Sequence, residues 1–310
     1  MTKQKLIHYF NQLGMLIILL LLIAAMAVFA PNFTEVTNVL NILKQTSITA
    51  ILAAGMTLVI LTGGIDLSVG SILALSGVLS VIMTNAGLHP LLAMATGMGV
   101  GCAAGALNGY LTAVPKLPSF VVTLGSMTYL RGLAYVISGG YPIALENSLF
   151  KFLGSGYIFG IPTPIYIMLI IFAIMYFILN YTMFGRHIYA IGGNEEAARL
   201  TGIKVERSLI RVYAISGLLA GIAGIVMAGR LFSAQPTGGT GYELDAIAAV
   251  VLGGTSFVGG FGRIQGTLIG VLIIAVLTNG LVLLNVDFYW QMIVKGAVIV
   301  AAVLLDRIRR

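Results

Sequence analysis

GMTLVILTGGIDLSVGSILALSGVL, residues 55–79, decides the fold. Two apolar segments meet at Gly63-Gly64-Ile65-Asp66-Leu67-Ser68. An aspartate in such surroundings is expensive: insertion scales put it at about +2.5–3.5 kcal/mol at the centre of a membrane helix. Broken backbone at membrane depth is tolerated only where protein buries it or where it lines a wet cavity. Two readings of the run follow: a turn at the membrane interface, or the wall of a pathway.

The rest of the chain is as apolar. Of its 310 residues, 59% are hydrophobic and 9% charged, against about 25% charged in a soluble domain. In water a chain of this composition would expose large apolar patches, so the bilayer is its natural solvent. A spanning helix takes about 20 apolar residues, and the length holds roughly eight to ten of them. The net charge of +7 forms no basic patch, so nucleic acid is not an expected partner. Cys102 is the single cysteine and excludes an intrachain disulfide. His8, His89 and His187 stand apart, and no metal site is expected. The sequence contains no Gly-x-x-x-x-Gly-Lys-Ser/Thr run, so ATP binding by this chain is not expected. A nucleophile–histidine–acid set is also missing, and the chain reads as a transport subunit rather than an enzyme.

Hydropathy predicts an all-α, polytopic membrane protein with one transmembrane domain over residues 1–310. Its ten predicted spans are 14–30, 46–62, 67–84, 90–112, 118–138, 164–182, 209–230, 243–258, 265–284 and 288–305. Pro31, Pro90, Pro115, Pro118, Pro162 and Pro164 fall at or beside span ends, where proline costs least. Lys3, Lys5 and the run to Ala25-Met26-Ala27 have the look of a secretory signal. The apolar run continues to Ala30 and further spans follow, which favours an uncleaved first span. Lysine and arginine set the orientation. With the N-terminus inside, the inner side carries Lys3, Lys5, Lys116, Arg186, Arg199, Lys204, Arg207, Arg263, Arg307, Arg309 and Arg310, and the outer loops only Lys44 and Lys151. Both termini are therefore expected in the cytoplasm, with Phe288, Tyr289 and Trp290 in an outer aromatic belt.

Two loops stand out. The outer one, 139–163, is rich in glycine, aromatics and proline and could fold onto the membrane face. The inner one, 183–208, is the most polar part of the chain and contains GGNEEAARLTGI, residues 192–203. Asn194 can cap a helix whose first turn holds Glu195 and Glu196, at its positive end. Ala197 and Ala198 continue it, and Gly202 ends it. This short rod is either a solvated connector or a docking element. A faint repeat links Gly63–Ser71 with Gly259–Thr267, each following an inward-running span.

Three blocks, TLVILTGGIDLSVGS at 57–71, GGNEEAARLTGI at 192–203 and AQPTGGTGYELDAIAAVVLGGTS at 234–256, closely resemble the ribose-type permeases of bacterial ABC sugar importers. The resemblance runs from about Pro31 to Lys295. It implies a homodimeric permease in the bacterial cytoplasmic membrane, paired with cytoplasmic ABC ATPase subunits and an extracytoplasmic sugar-binding protein. It also implies a monosaccharide cargo, most like ribose, with ATP and magnesium held by the partner ATPase and no cofactor in this chain. Glu196-Ala197-Ala198 followed by Gly202 matches the core of the loop by which ABC permeases resemble one another, and the functional reading of it is docking to the ATPase. The Ile-x-Leu-Pro extension of that pattern is missing here. The docking set is thus Asn194, Glu195, Glu196, Ala197, Ala198 and Gly202. On residues alone, an ion-coupled secondary sugar transporter working through Asp66 or Lys295 is the alternative.

Polar residues in apolar spans are candidates for the route. A sugar both donates and accepts hydrogen bonds, so hydroxyl and amide side chains suit it. The candidates are Asp66, Ser68, Asn108, Thr123, Asn279 and Lys295; Ser71, Ser126 and Gln291 have the same character. Lys295, mid-span, needs an acid or water, and Asp66, Glu243 and Asp245 are its candidate partners. Arg131 and Arg230 lie near outer span ends and can snorkel. Gly97, Gly101, Gly105 and Gly109, four apart, mark one face for close helix packing, within the chain or between subunits.

Overall fold

The computed structural model describes residues 3–308. Arg309 and Arg310, and the side chains of Lys3, Lys5, His8 and Arg307, lie outside the described residues. In chain order the elements are α1 (Lys3–Phe29), α2 (Val36–Leu61), α3 (Val69–Asn85), α4 (Pro90–Ala113), α5 (Ser119–Ser138), β1 (Ile143–Ala144), α6 (Ser148–Ser155), β2 (Tyr157–Ile158), β3 (Ile161–Pro162) and α7 (Thr163–Tyr181). They continue with α8 (Met183–Gly193), α9 (Glu195–Leu200), α10 (Val205–Leu231), β4 (Ser233–Ala234), α11 (Tyr242–Leu252), α12 (Ile264–Leu283) and α13 (Phe288–Ile308). Among the described residues, α2, α4, α5, α7, α10 and α12 are long and apolar enough to cross a membrane. The apolar stretches of α1 and α3 are shorter.

Helix α2 is the centre of the molecule. Every residue from Ala50 to Leu61 is buried, and a helix apolar on all sides can be stable only when surrounded. The main core joins α2 to α3, α7, α10 and α11, with Tyr213 of α10 fully buried in it. The glycine face of α4 packs within the chain, against α10. A methyl group added at Gly105 would strike the Tyr213 carbonyl, and one at Gly101 the Gly217 carbonyl. Helices that approach this closely gain van der Waals contact that lipid does not supply.

The predicted span 243–258 needs correction. Helix α11 stops at Leu252, where Gly253 and then Gly254, at φ +80°, break it. Eleven residues reach about 16 Å at 1.5 Å each, roughly half of a bilayer core. The segment 253–263 that follows is irregular. Its amides find acceptors inside the protein: Thr255 N donates to Val250 O (3.2 Å), Ser256 N to Phe261 O (2.8 Å) and Gly260 N to Leu61 O (2.9 Å). Internal pairing is the condition for non-helical backbone at membrane depth.

The outer loop carries small structures that hydropathy does not reveal. Asn147 caps α6 by accepting from Leu149 N (3.0 Å) and Phe150 N (3.3 Å). Phe150 is fully buried, packed with Val78, Ile225 and Ala228. Strands β1 and β4 pair antiparallel, as do β2 and β3, so the all-α expectation omits four two-residue strands. The β2–β3 turn places Phe159 (φ +48°) and Gly160 (φ +78°) in the left-handed region, as a two-residue type I′ hairpin requires.

Candidate translocation and coupling sites

The break between α2 and α3 is a buried polar knot. Gly63 lies at φ +80° and is exposed, whereas Gly64 and Asp66–Ser68 are buried. Asp66 Oδ1 accepts from Ser68 N (3.0 Å) and Ser68 Oγ (2.6 Å), and Oδ2 accepts from Ser216 Oγ of α10 (3.1 Å). Ser68 Oγ in turn accepts from Asn108 Nδ2 of α4 (2.9 Å), and Asn108 Oδ1 accepts from Ser126 Oγ of α5. Thr123 Oγ1 donates to Ile65 O (3.1 Å) while Ser119 Oγ accepts from Ile65 N (3.2 Å). These two residues, one turn apart on α5, satisfy both backbone groups of Ile65. Each buried polar group thereby recovers part of what it lost on leaving water.

Four of the six route candidates, Asp66, Ser68, Asn108 and Thr123, therefore belong to one fully buried cluster. The other two stand elsewhere. Asn279 of α12 exchanges amide hydrogen bonds with Asn38 of α2, at 3.1 and 3.0 Å. Lys295 of α13 pairs with Asp245 of α11, Nζ to Oδ2 at 3.0 Å, so the structure selects one of the three candidate acids. Arg131 does not snorkel: Nη1 donates to Pro236 O (2.7 Å) and Gly238 O (2.6 Å), clamping the glycine-rich segment ahead of α11. Ser216 was absent from the sequence candidates. Its only signal is a hydroxyl one residue before Gly217; it packs against Gly55 of α2, while Gly217 meets α4.

The segment 194–203 forms a rod with both ends closed. Asn194 Oδ1 accepts from Ala197 N (2.9 Å). At the other end Gly202, at φ +87°, donates from N to Arg199 O (3.0 Å), and Ile203 N donates to Ala198 O (3.2 Å). That pair of bonds is a Schellman closure, which needs a left-handed residue at Gly202. Arg199 bonds Glu195 at 3.1 Å and Glu206 at the start of α10. Glu206 first, then Glu195, raises the guanidinium pKa above its ordinary value. Ala198 alone is buried, against Ala113, Ile191, Val205 and Leu209. The other five positions of α9 are exposed, and Leu200 is 89% exposed. Sequence reasoning named the acids and alanines but missed this projecting leucine.

Helix α8, also missed, joins the rod to the core. At Gly192, one turn before α9, an added Cβ would strike Leu61 O and Gly260 N. The ends of α2 and α8 and the 253–263 segment thus meet backbone to backbone. The two repeats noted in the sequence come together here, and Thr57 Oγ1 lies 2.8 Å from Thr267 Oγ1 behind them.

The chain matches the model of the family described as the branched-chain amino acid transport system permease component over residues 38–303. It is 53% identical over 280 residues to the ribose import permease protein of Escherichia coli, covering 89% of this chain and 87% of that one. Identity to the ribose import permease protein of Bacillus subtilis is 50% over 311 residues, covering 99% and 97%. With the L-arabinose transport system permease protein of Escherichia coli it is 39% over 301 residues, covering 97% and 92%. No solved structure matches the chain. A match across most of the chain, together with six helices fit to cross a bilayer, makes this a multi-pass membrane protein of the branched-chain amino acid transport system permease family.

Proposed function

We propose that the chain is the membrane subunit of an ABC importer for a monosaccharide, ribose in the first instance. Two copies form the pathway in the bacterial cytoplasmic membrane. Each copy crosses ten times, the eighth crossing being α11 plus the irregular segment 253–263, and both termini lie in the cytoplasm. A cytoplasmic ATPase binds ATP and magnesium and docks on α9, through Glu195, Glu196, Ala197 and Leu200, with Asn194, Ala198 and Gly202 holding the rod in shape. An extracytoplasmic binding protein delivers the sugar to the opposite face. Asp66, Ser68, Asn108 and Thr123 hold the α2–α3 break beside the route, and Asn279 and Lys295 keep α12 and α13 in register with α2 and α11.

The observation that carries the reading is the rod itself. It is capped at both ends, attached by one buried alanine, and presents a leucine 89% exposed among charged neighbours. A connector needs no such tip, and isolated helices this short are unstable without caps or packing. Closure of the ATPase acts on a two-state membrane element through this contact.

The test is co-purification of the ATPase with the variants Leu200→Asp and Glu196→Lys. Both are expected to insert normally and to lose at least about tenfold in ATPase affinity, the size of effect seen at interface centres. Full retention of the ATPase by the double variant assigns α9 to mere connection.

A further inference from the structure

A cavity of about 220 Å³ opens between the α2–α3 break, the α4–α5 turn, α10 and the first residue of α9. Its walls include Gly64, Thr112, Lys116, Ser119, Glu195 and Tyr213. None of the six route candidates lies in it. Two hydroxyls at its back, Tyr213, whose residue is fully buried, and Thr112, face each other and Ser119 without either completing a well-formed hydrogen bond. Gly64 holds the Tyr213 hydroxyl so closely that a Cβ there would strike it. A buried hydroxyl whose bonds are poorly formed costs free energy, and a native protein retains one where a ligand or ordered water completes it. Ser119 Oγ accepts from Ile65 N, which leaves its proton to donate. Lys116 and Glu195 place one positive and one negative side chain on the same rim.

We propose that this cavity is a second binding site for a neutral polyhydroxyl ligand, the imported monosaccharide after its release on the cytoplasmic side. Hydroxyls that donate and accept, beneath a charge-balanced rim, match a polyol and do not favour an anion. A ligand seated there touches the break through Gly64, the α4–α5 turn through Lys116 and Ser119, and the coupling rod through Glu195. It ties together elements that ATPase closure must move, so accumulated product slows the transporter. The identity of the ligand rests on the importer reading; the existence of a polyol site does not.

Two measurements separate these. First, the purified permease in lipid nanodiscs is titrated with ribose, observed by saturation-transfer NMR, beside Tyr213→Phe and Thr112→Val. The wild type is expected to bind, and each variant to weaken binding by about three- to tenfold, the loss of one neutral hydrogen bond. Equal binding by all three, or none by the wild type, overturns the site. Second, permease, ATPase and ATP are reconstituted with the ATPase side facing the vesicle lumen, and initial uptake of labelled ribose from the binding protein is followed against unlabelled ribose in the lumen. Lumenal ribose is expected to slow the wild type several-fold and to leave Tyr213→Phe nearly unaffected; ribose 5-phosphate, the anionic probe, has no effect on either. Equal slowing of both proteins, or stronger action by the phosphate, overturns the regulatory role or the neutral-ligand assignment respectively. Lack of any uptake by the wild type would count against the importer reading, while the nanodisc titration still decides the site.

Discussion

At the scale of single residues, the polar cluster around Asp66 is the part of the molecule most exposed to error. Its members form a directed chain, Ser126 to Asn108 to Ser68 to Asp66, with Ser216 closing on the second carboxylate oxygen. Replacing Asn108 by alanine removes one bond from each of two buried hydroxyls, while Ser68 still donates to Asp66 and Ser126 to Tyr129, so the cost is about 0.5–1.5 kcal/mol per bond. Replacing Ser216 by alanine removes one donor and costs less. Because both act on one network, their effects are expected to couple by roughly 0.5 kcal/mol or more. Thermal unfolding of the detergent-solubilised single and double variants measures this; strict additivity would show that the chain of bonds is not cooperative. The sequence made Asp66, Ser68, Asn108 and Thr123 conspicuous because polar groups are rare in apolar runs. It did not reveal that they share one cluster, because that depends on how α4, α5 and α10 rotate about α2. Ser216 was invisible for a related reason: a serine beside glycine reads as small before it reads as polar.

At the scale of elements, α9 was legible in detail and α8 was not. Caps and helix-ending glycines are local chemistry, so Asn194 and Gly202 announce a rod from sequence alone. Helix α8 is capped by Thr182, which accepts from Gly185 N (3.1 Å) but stands at the end of a predicted span, and its contacts with Leu61 and Gly260 are far away in the chain. Span eight failed in the opposite sense. Its apolar composition resembles a full crossing, but Gly253 and Gly254 end the helix after 11 residues. Beside the packing of Ala198, the backbone junction at Gly192 links the rod to the end of α2. Gly192→Val would force α8 away from Leu61 and Gly260, at about 1–3 kcal/mol for overpacking. That variant is expected to retain the ATPase, since the outer face of α9 is untouched, but to uncouple it. The readout is ATP hydrolysis by the assembled complex with and without sugar-loaded binding protein: stimulation is lost while basal turnover remains. Normal stimulation would mean that the signal bypasses this junction.

At the scale of the whole molecule, the proposed topology, argued from the charge asymmetry, puts α9 in the cytoplasm and the β2–β3 hairpin outside. A Cys102→Ser background carrying a single cysteine at position 159 or 195 tests it in intact cells. An impermeant maleimide is expected to label position 159 and to spare 195 until the membrane is opened; labelling of 195 from outside reverses the orientation. In the proposed function, this chain moves sugar only as part of an ATP-driven assembly. The direct measurement is uptake of labelled ribose into liposomes holding the chain alone, under inward proton or sodium gradients, and holding the chain with its ATPase, ATP and binding protein. No concentrative uptake by the chain alone is expected under any gradient, and uptake is expected only when all three additions are present. Gradient-driven accumulation by the chain alone would contradict the proposed function and make the protein a self-sufficient secondary transporter.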